Sequence, residues 1–215
     1  QDCSHEQLLE FLKCGNIVQR QIAALRLEKI TSEKDSEVLL SNLTGQDGKI
    51  REAVSLRLCE FMADEQAVEY FKTTKNYDTF LDAIIDINPN ICRNVLSAIV
   101  NLKSDETFVK FFGQKLTDLT FELLDEVEKI DFREKKYKTN KAVFKLYWCL
   151  ETVYDFWDKL DFTELKQIIL RSKKIREYTI REKSAKILSR EFNDSELDLA
   201  RKELQADENY YVRRY

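Results

Sequence analysis

The side chains with most chemical potential gather between Phe144 and Arg190. Trp157-Asp158-Lys159-Leu160-Asp161 sets an indole four residues ahead of a carboxylate. The aromatic residue offers a stacking platform, with a carboxylate and cations beside it. The cations follow directly. Lys166, Arg171, Lys173, Lys174, Arg176, Arg181, Lys183, Lys186 and Arg190 stand against Glu177 and Glu182, net +7 over 166–190. Residues 133–145 add six basic residues against Glu134. Such a run can track a phosphate backbone by releasing counterions. It can equally be a solvated face that balances acids elsewhere. The aromatic residues Phe144, Tyr147, Trp148, Tyr154, Phe156 and Trp157 fall on two faces of one helix. That pattern also suits a helix packed on both sides.

Other constellations are thin. His5 is the one histidine and lies in a first helical turn, so a Ser/His/Asp or Cys/His site has little to build on. Four scattered glycines make no phosphate loop. Asp125, Glu126 and Glu128 read as a charged helix face. Five cysteines (3, 14, 59, 92 and 149) are widely spread without a C-x-x-C, which argues against a zinc site or a disulfide framework. No metal or cofactor is implied. Reduced thiols suggest a cytoplasmic protein. No apolar run reaches the ~18 residues of a membrane span. The chain opens on Gln1, which leaves a removed N-terminal signal open.

The elements that must position these residues are helices. Hydrophobic residues make up 43% and charged residues 34%, so the chain folds. Gly (4) and Pro (1) are too scarce for the turns of a sheet protein. Net charge is −4, with an asymmetry. Residues 1–132 hold 15 basic and 24 acidic residues, and residues 133–215 hold 20 and 15. The first stretch suits a basic partner and the second an anionic one.

Helix starts are legible as caps. Ser4 with Gln7, Asn16, Ser32, Asp47, Asp161 with Glu164, Asp194 and Asn209 each precede an apolar-periodic run. The helix capped by Asn16 is expected to reach Ile30. Gly15, Gly45 and Gly113 are expected to end helices. Further helices are expected over 64–73, 76–87, 104–112, 114–130, 139–157 and 176–192, with 131–140 a loop or a frayed helix end. An octet recurs at the second helices: 20–27, 51–58, 93–100 and 181–188, with Val212-Arg213-Arg214 opening another. Arg comes first, Ala or Ser four residues on, an aliphatic residue seven on. A small residue lets two helices approach, and the aliphatic residue fills the shared core. At four copies an Asn, Asp or Glu stands four residues before the Arg (Asn16, Asp47, Glu177, Asn209), placed to cap the helix or to pair with a neighbouring unit's Arg.

With Val18, Ile50, Ile91, Ile180 and Val212 just before the matching Arg, this pattern resembles HEAT repeats. The resemblance covers about 1–102 and 161–215. It implies an all-α, right-handed α-solenoid of about five helix pairs over 1–215, irregular at 103–160, with the last pair cut off at Tyr215. It also implies a concave face, lined by second helices, that grips another macromolecule. On that basis Arg57, Arg93, Lys145, Lys183 and Lys186 are the expected contacts of a protein partner, with nucleic acid or another polyanion as the alternative through 133–190. Trp157 to Asp161 resembles the W-D-x-V-D stretch of HEAT-like DNA-alkylation-repair glycosylases. By that resemblance Trp157 stacks on the nucleotide, Asp161 assists departure of the base and Arg181 contacts phosphate. Asp161 is equally a helix N-cap, and no Trp follows 157.

Overall fold

In the computed structural model, residues 3–72, 77–132 and 137–215 are described, apart from the side chains of 137–140. Among them the chain is all-α, with thirteen α-helices and two short 3-10 turns. No described helix is long and apolar enough to cross a membrane. Two compact units result, Gln1–Phe112 and Gly113–Tyr215.

The first unit begins with α1 (His5–Cys14) and α2 (Ile17–Arg26), then α3 (Glu33–Leu40) and α4 (Gly48–Phe61). It continues with α5 (Glu65–Lys72), α6 (Tyr77–Ile84) and α7 (Pro89–Ile99). Caps set the starts. Ser4 and Gln7 form a reciprocal capping box, Asn16 and Gln19 another, and Asp47 and Asn88 accept backbone N–H groups. Pro89 fills the first turn of α7, where its missing N–H costs nothing. Gly45, at φ +68°, makes the left-handed turn after α3.

Second helices pack on second helices: α2 lies on α4, and α4 on α7. First helices do likewise, α1 on α3 and α3 on α5. Small buried residues permit the approach: Ala23, Ala24, Ala53 and Ser55. The layers are also bonded. Asn42 Nδ2 donates to the Leu12 carbonyl at 3.1 Å, and Asn94 Nδ2 to Ser55 Oγ at 3.2 Å.

Helix α8 (Glu106–Glu128) runs straight through Gly113, where a break is expected. A Cβ at Gly113 would stand 3.2 Å from Leu160 Cδ2, so glycine here makes room for a neighbour. In the second unit α9 (Tyr137–Phe156) lies on α11 (Tyr178–Leu188), and α11 on α13 (Tyr210–Arg213). The first-helix layer holds α10 (Phe162–Ser172) on α12 (Ser195–Gln205). The Ser172 and Ser184 hydroxyls meet at 2.6 Å where α10 crosses α11.

Other boundaries shift too. α2 stops at Arg26 and not near Ile30, and α11 spans 178–188 and not 176–192. Most of the expected loop at 131–140 lies outside the described residues or within α9.

The repeat register also changes in one copy. Arg20, Arg51, Arg181 and Arg213 each donate to a carbonyl five residues back: Gly15, Gln46, Arg176 and Glu208. In α7 the matching position is Cys92 and not Arg93. Cys92 is fully buried, and its thiol meets the Asp86 carbonyl six residues back at 3.0 Å. Arg93 is exposed, and its guanidinium reaches Asn90 within its own helix. With Cys92 in place, every copy has its N-cap residue four positions earlier: Asn16, Asp47, Asn88, Glu177 and Asn209.

The pairing between units differs from the expectation as well. The residues four before the Arg cap their own helices, except Glu177, whose side chain caps nothing. The neighbour's Arg goes instead to an Asp six residues before the next copy's position. Arg51 takes Asp86 through Nε at 2.7 Å and a second nitrogen at 3.2 Å. Arg181 takes Asp207 in the same way at 2.6 and 3.1 Å. Both aspartates also accept the N–H of their cap residue, Asn88 or Asn209.

Candidate interaction surface on the second helices

The basic run of 166–190 is mostly spoken for. Six of its nine cations bond carboxylates of other helices or of the turns that flank them. Lys166 meets Asp194 and Glu196, Arg171 meets Asp125 and Glu128, and Lys173 meets Glu203. Arg181 meets Asp207, and Lys183 and Lys186 both meet Glu151. A phosphate backbone would have to displace these acids to use the run as a track.

Glu151 sits at the centre of a built cluster. On α9, Tyr147, Glu151 and Tyr154 follow at spacings of four and three, so they share one face. On α11 and just past its end, Lys183, Lys186 and Arg190 do the same at three and four. The two faces meet. Lys183 Nζ lies 4.3 Å from the centre of the Tyr147 ring, and Lys186 Nζ 4.3 Å from that of Tyr154. Each lysine also bonds one Glu151 oxygen, Lys186 at 2.5 Å. Burial pushes the Glu151 carboxyl up, but the two lysines outweigh it and hold it below its ordinary range. Burial likewise pushes Lys183 down, and Glu151 outweighs that to raise it.

Arg190 completes the row differently. Its guanidinium carbon lies 4.1 Å from the centre of the Tyr154 ring. Its Nε is buried without a hydrogen-bond partner. Three cations against one carboxylate leave this cluster at +2.

Aromatic surface continues from Arg190. Trp157, in a 3-10 turn that closes α9, meets Phe192 edge-on at 5.4 Å. Phe162, 45% exposed, lies 6.4 Å from Phe192. Trp157 itself is half-buried and reaches the surface.

The other expected residues lie as follows. Lys183 is buried at 5% exposure. Lys145 lines a shallow depression with Glu126, Lys141 and Ala142. Arg57 bonds Glu60 and the Leu25 carbonyl, and Arg93 is exposed. Asp161 is exposed and accepts the Glu164 N–H at 3.1 Å as the α10 cap. Arg181 is committed to Asp207 and to the carbonyls of Ile175 and Arg176. Among the described residues no cluster of His, Cys, Asp and Glu could hold a metal. Glu151, Tyr154 and Arg190 do not stand out as a unit in the sequence. Their helical spacings are visible there, but the pairing of α9 with α11 is not.

No family model matches this chain, and no curated protein matches it. Two solved structures share its fold. A designed armadillo repeat protein is 12% identical, with 98% of this chain and 95% of that chain covered and a TM-score of 0.50. An engineered protein is 15% identical, with 98% and 94% covered and a TM-score of 0.51. At such identities the likeness establishes a helical-repeat solenoid fold alone.

Proposed function

We propose that the chain is an interaction scaffold of the HEAT-like kind, and that a partner protein docks where the second helices α9 and α11 of its second unit end and α10 begins. One observation carries this reading: Tyr154, Trp157, Phe162, Phe192 and Arg190 form a contiguous surface of the residue types that anchor interfaces. Phe162, 45% exposed, extends the Trp157–Phe192 contact to the surface, so the apolar residues here are contiguous and not scattered singly. Lys186 flanks the surface as a polar contact and Lys183 supports it from beneath, while Lys145, beside Glu126 of α8, is proposed as a separate contact of the second unit. Arg57 and Arg93 are proposed as contacts of the first unit. The glycosylase reading gains no support from the geometry, since Asp161 caps a helix and Arg181 holds Asp207.

The test is capture of partners by the wild type, Phe162→Asp, Arg190→Glu and the control Lys34→Glu, an exposed residue of α3. Circular dichroism checks each fold. Proteins retained by wild type and control but lost from both surface variants support the proposal. If every variant captures the same proteins, the surface is not the docking site.

A further inference from the structure

We infer that this surface takes a peptide segment in which an acidic residue stands beside an aromatic or large apolar residue. The inference rests on the docking surface proposed above and assigns its ligand chemistry. Arg190 is the key. Six cations of the 166–190 run have carboxylate partners, whereas the Arg190 side chain makes no hydrogen bond or ion pair among the described residues. Its planar group is held over Tyr154, which fixes its orientation before any ligand arrives. A guanidinium so placed presents a fork to a carboxylate. Lys186, on the same ring, adds a second positive charge, and Glu151 holds it in place.

The apolar half of the ligand is set by what adjoins Arg190. Tyr154 precedes Trp157 by three residues, and Arg190 precedes Phe192 by two. The Tyr154–Arg190 and Trp157–Phe192 contacts are thus neighbouring rungs across the ends of α9 and α11. Phe162 extends the second rung outward. A ligand side chain lying on Trp157, Phe192 and Phe162 places its acidic neighbour within reach of Arg190. A nucleic-acid strand fits less well. It needs a row of uncommitted cations, and Lys183 and Lys186, which share the α11 face with Arg190, are both committed to Glu151.

The experiment is fluorescence anisotropy at low salt with the full chain. The probes are a labelled dodecapeptide of Glu, Phe and Ser, the same peptide with Glu replaced by Gln, the same with Phe replaced by Ser, and a 12-nucleotide oligo-dT. The first peptide should bind, and each altered peptide should bind about tenfold more weakly or worse. Arg190→Ala should weaken the first peptide by about tenfold or more, and Arg190→Lys, which keeps the charge without the fork, by less. Trp157→Ala should weaken it while Lys34→Glu leaves it unchanged. Equal binding of the Gln peptide, indifference to Arg190→Ala, or binding of oligo-dT alone would overturn the inference. If partner capture still depends on Phe162 and Arg190 while the acidic peptide fails, only the ligand chemistry falls. If capture is also indifferent, the docking surface falls with it.

Discussion

Replacing Arg51 by Ala removes a guanidinium that takes both oxygens of Asp86 and the Gln46 carbonyl. Both partners are largely shielded, with side-chain exposures of 16% and 10%. The substitution leaves the Asp86 carboxylate with the Asn88 N–H and without its charged partner. Breaking a shielded pair from one side costs about 3 kcal/mol. The same step at Arg93 removes one 3.2 Å contact to Asn90 at an exposed site, so it costs within about 0.5 kcal/mol. With a urea m-value of about 3 kcal/mol per M, Arg51→Ala lowers the denaturation midpoint by about 1 M and Arg93→Ala by under about 0.2 M. The assay is urea unfolding followed by circular dichroism, with a double-mutant cycle through Asp86→Ala. The cycle should give a coupling of about 2 kcal/mol between Arg51 and Asp86. A cost for Arg93→Ala equal to that for Arg51→Ala would refute the register that puts Cys92 in the Arg position.

Other predictions concern single sites. Asp35 joins α1 to α3, accepting from the Thr31 N–H and hydroxyl, the Ser32 hydroxyl and His5. Burial pushes its carboxyl up, but those hydrogen bonds bring it down to about 2. A depressed carboxylate stabilises the fold above its unfolded value of about 4, and that stability is lost as pH falls toward about 2. Acid titration of Asp35→Asn should therefore lack part of the wild-type decline in this window. Gly45→Ala should cost about 1–2 kcal/mol, because the left-handed backbone burdens any Cβ. Gly48→Ala, in open space at the start of α4, should be neutral or slightly stabilising by the same denaturation assay. Glu151→Gln removes the carboxylate shared by Lys183 and Lys186 and should cost about 3 kcal/mol in urea unfolding, mostly through buried Lys183.

Helix starts are legible in the sequence because caps are local: Ser4, Asn16, Asp47 and Asp194 each bond a backbone within three residues. The repeat is legible in α2, α4 and α11 because a small and an aliphatic buried position recur together: Ala24 with Leu27, Ser55 with Leu58, and Ala185 with Leu188. Gly113 misleads because a glycine's purpose depends on what packs against it, and Leu160 lies 47 residues away. Cys92 is hidden by its neighbour: Arg93 matches the template by type, while burial selects the position. The basic run misleads for a related reason. Arg171 finds Asp125 and Glu128, 46 and 43 residues back, so charge read locally looks free when it is paired. Once those pairs are known Lys174, Arg176 and Arg190 remain, and of these Arg190 is the one held against an aromatic ring.

The docking surface is tested most directly by hydrogen exchange of the full chain with and without a partner obtained by the capture experiment. Added protection is expected at the end of α9, through Trp157, and past the end of α11, through Phe192, with the first-helix layer of α10 and α12 unchanged beyond its start at Phe162. Protection confined to α12 or to the first unit would contradict a partner seated on Arg190 and its aromatic neighbours.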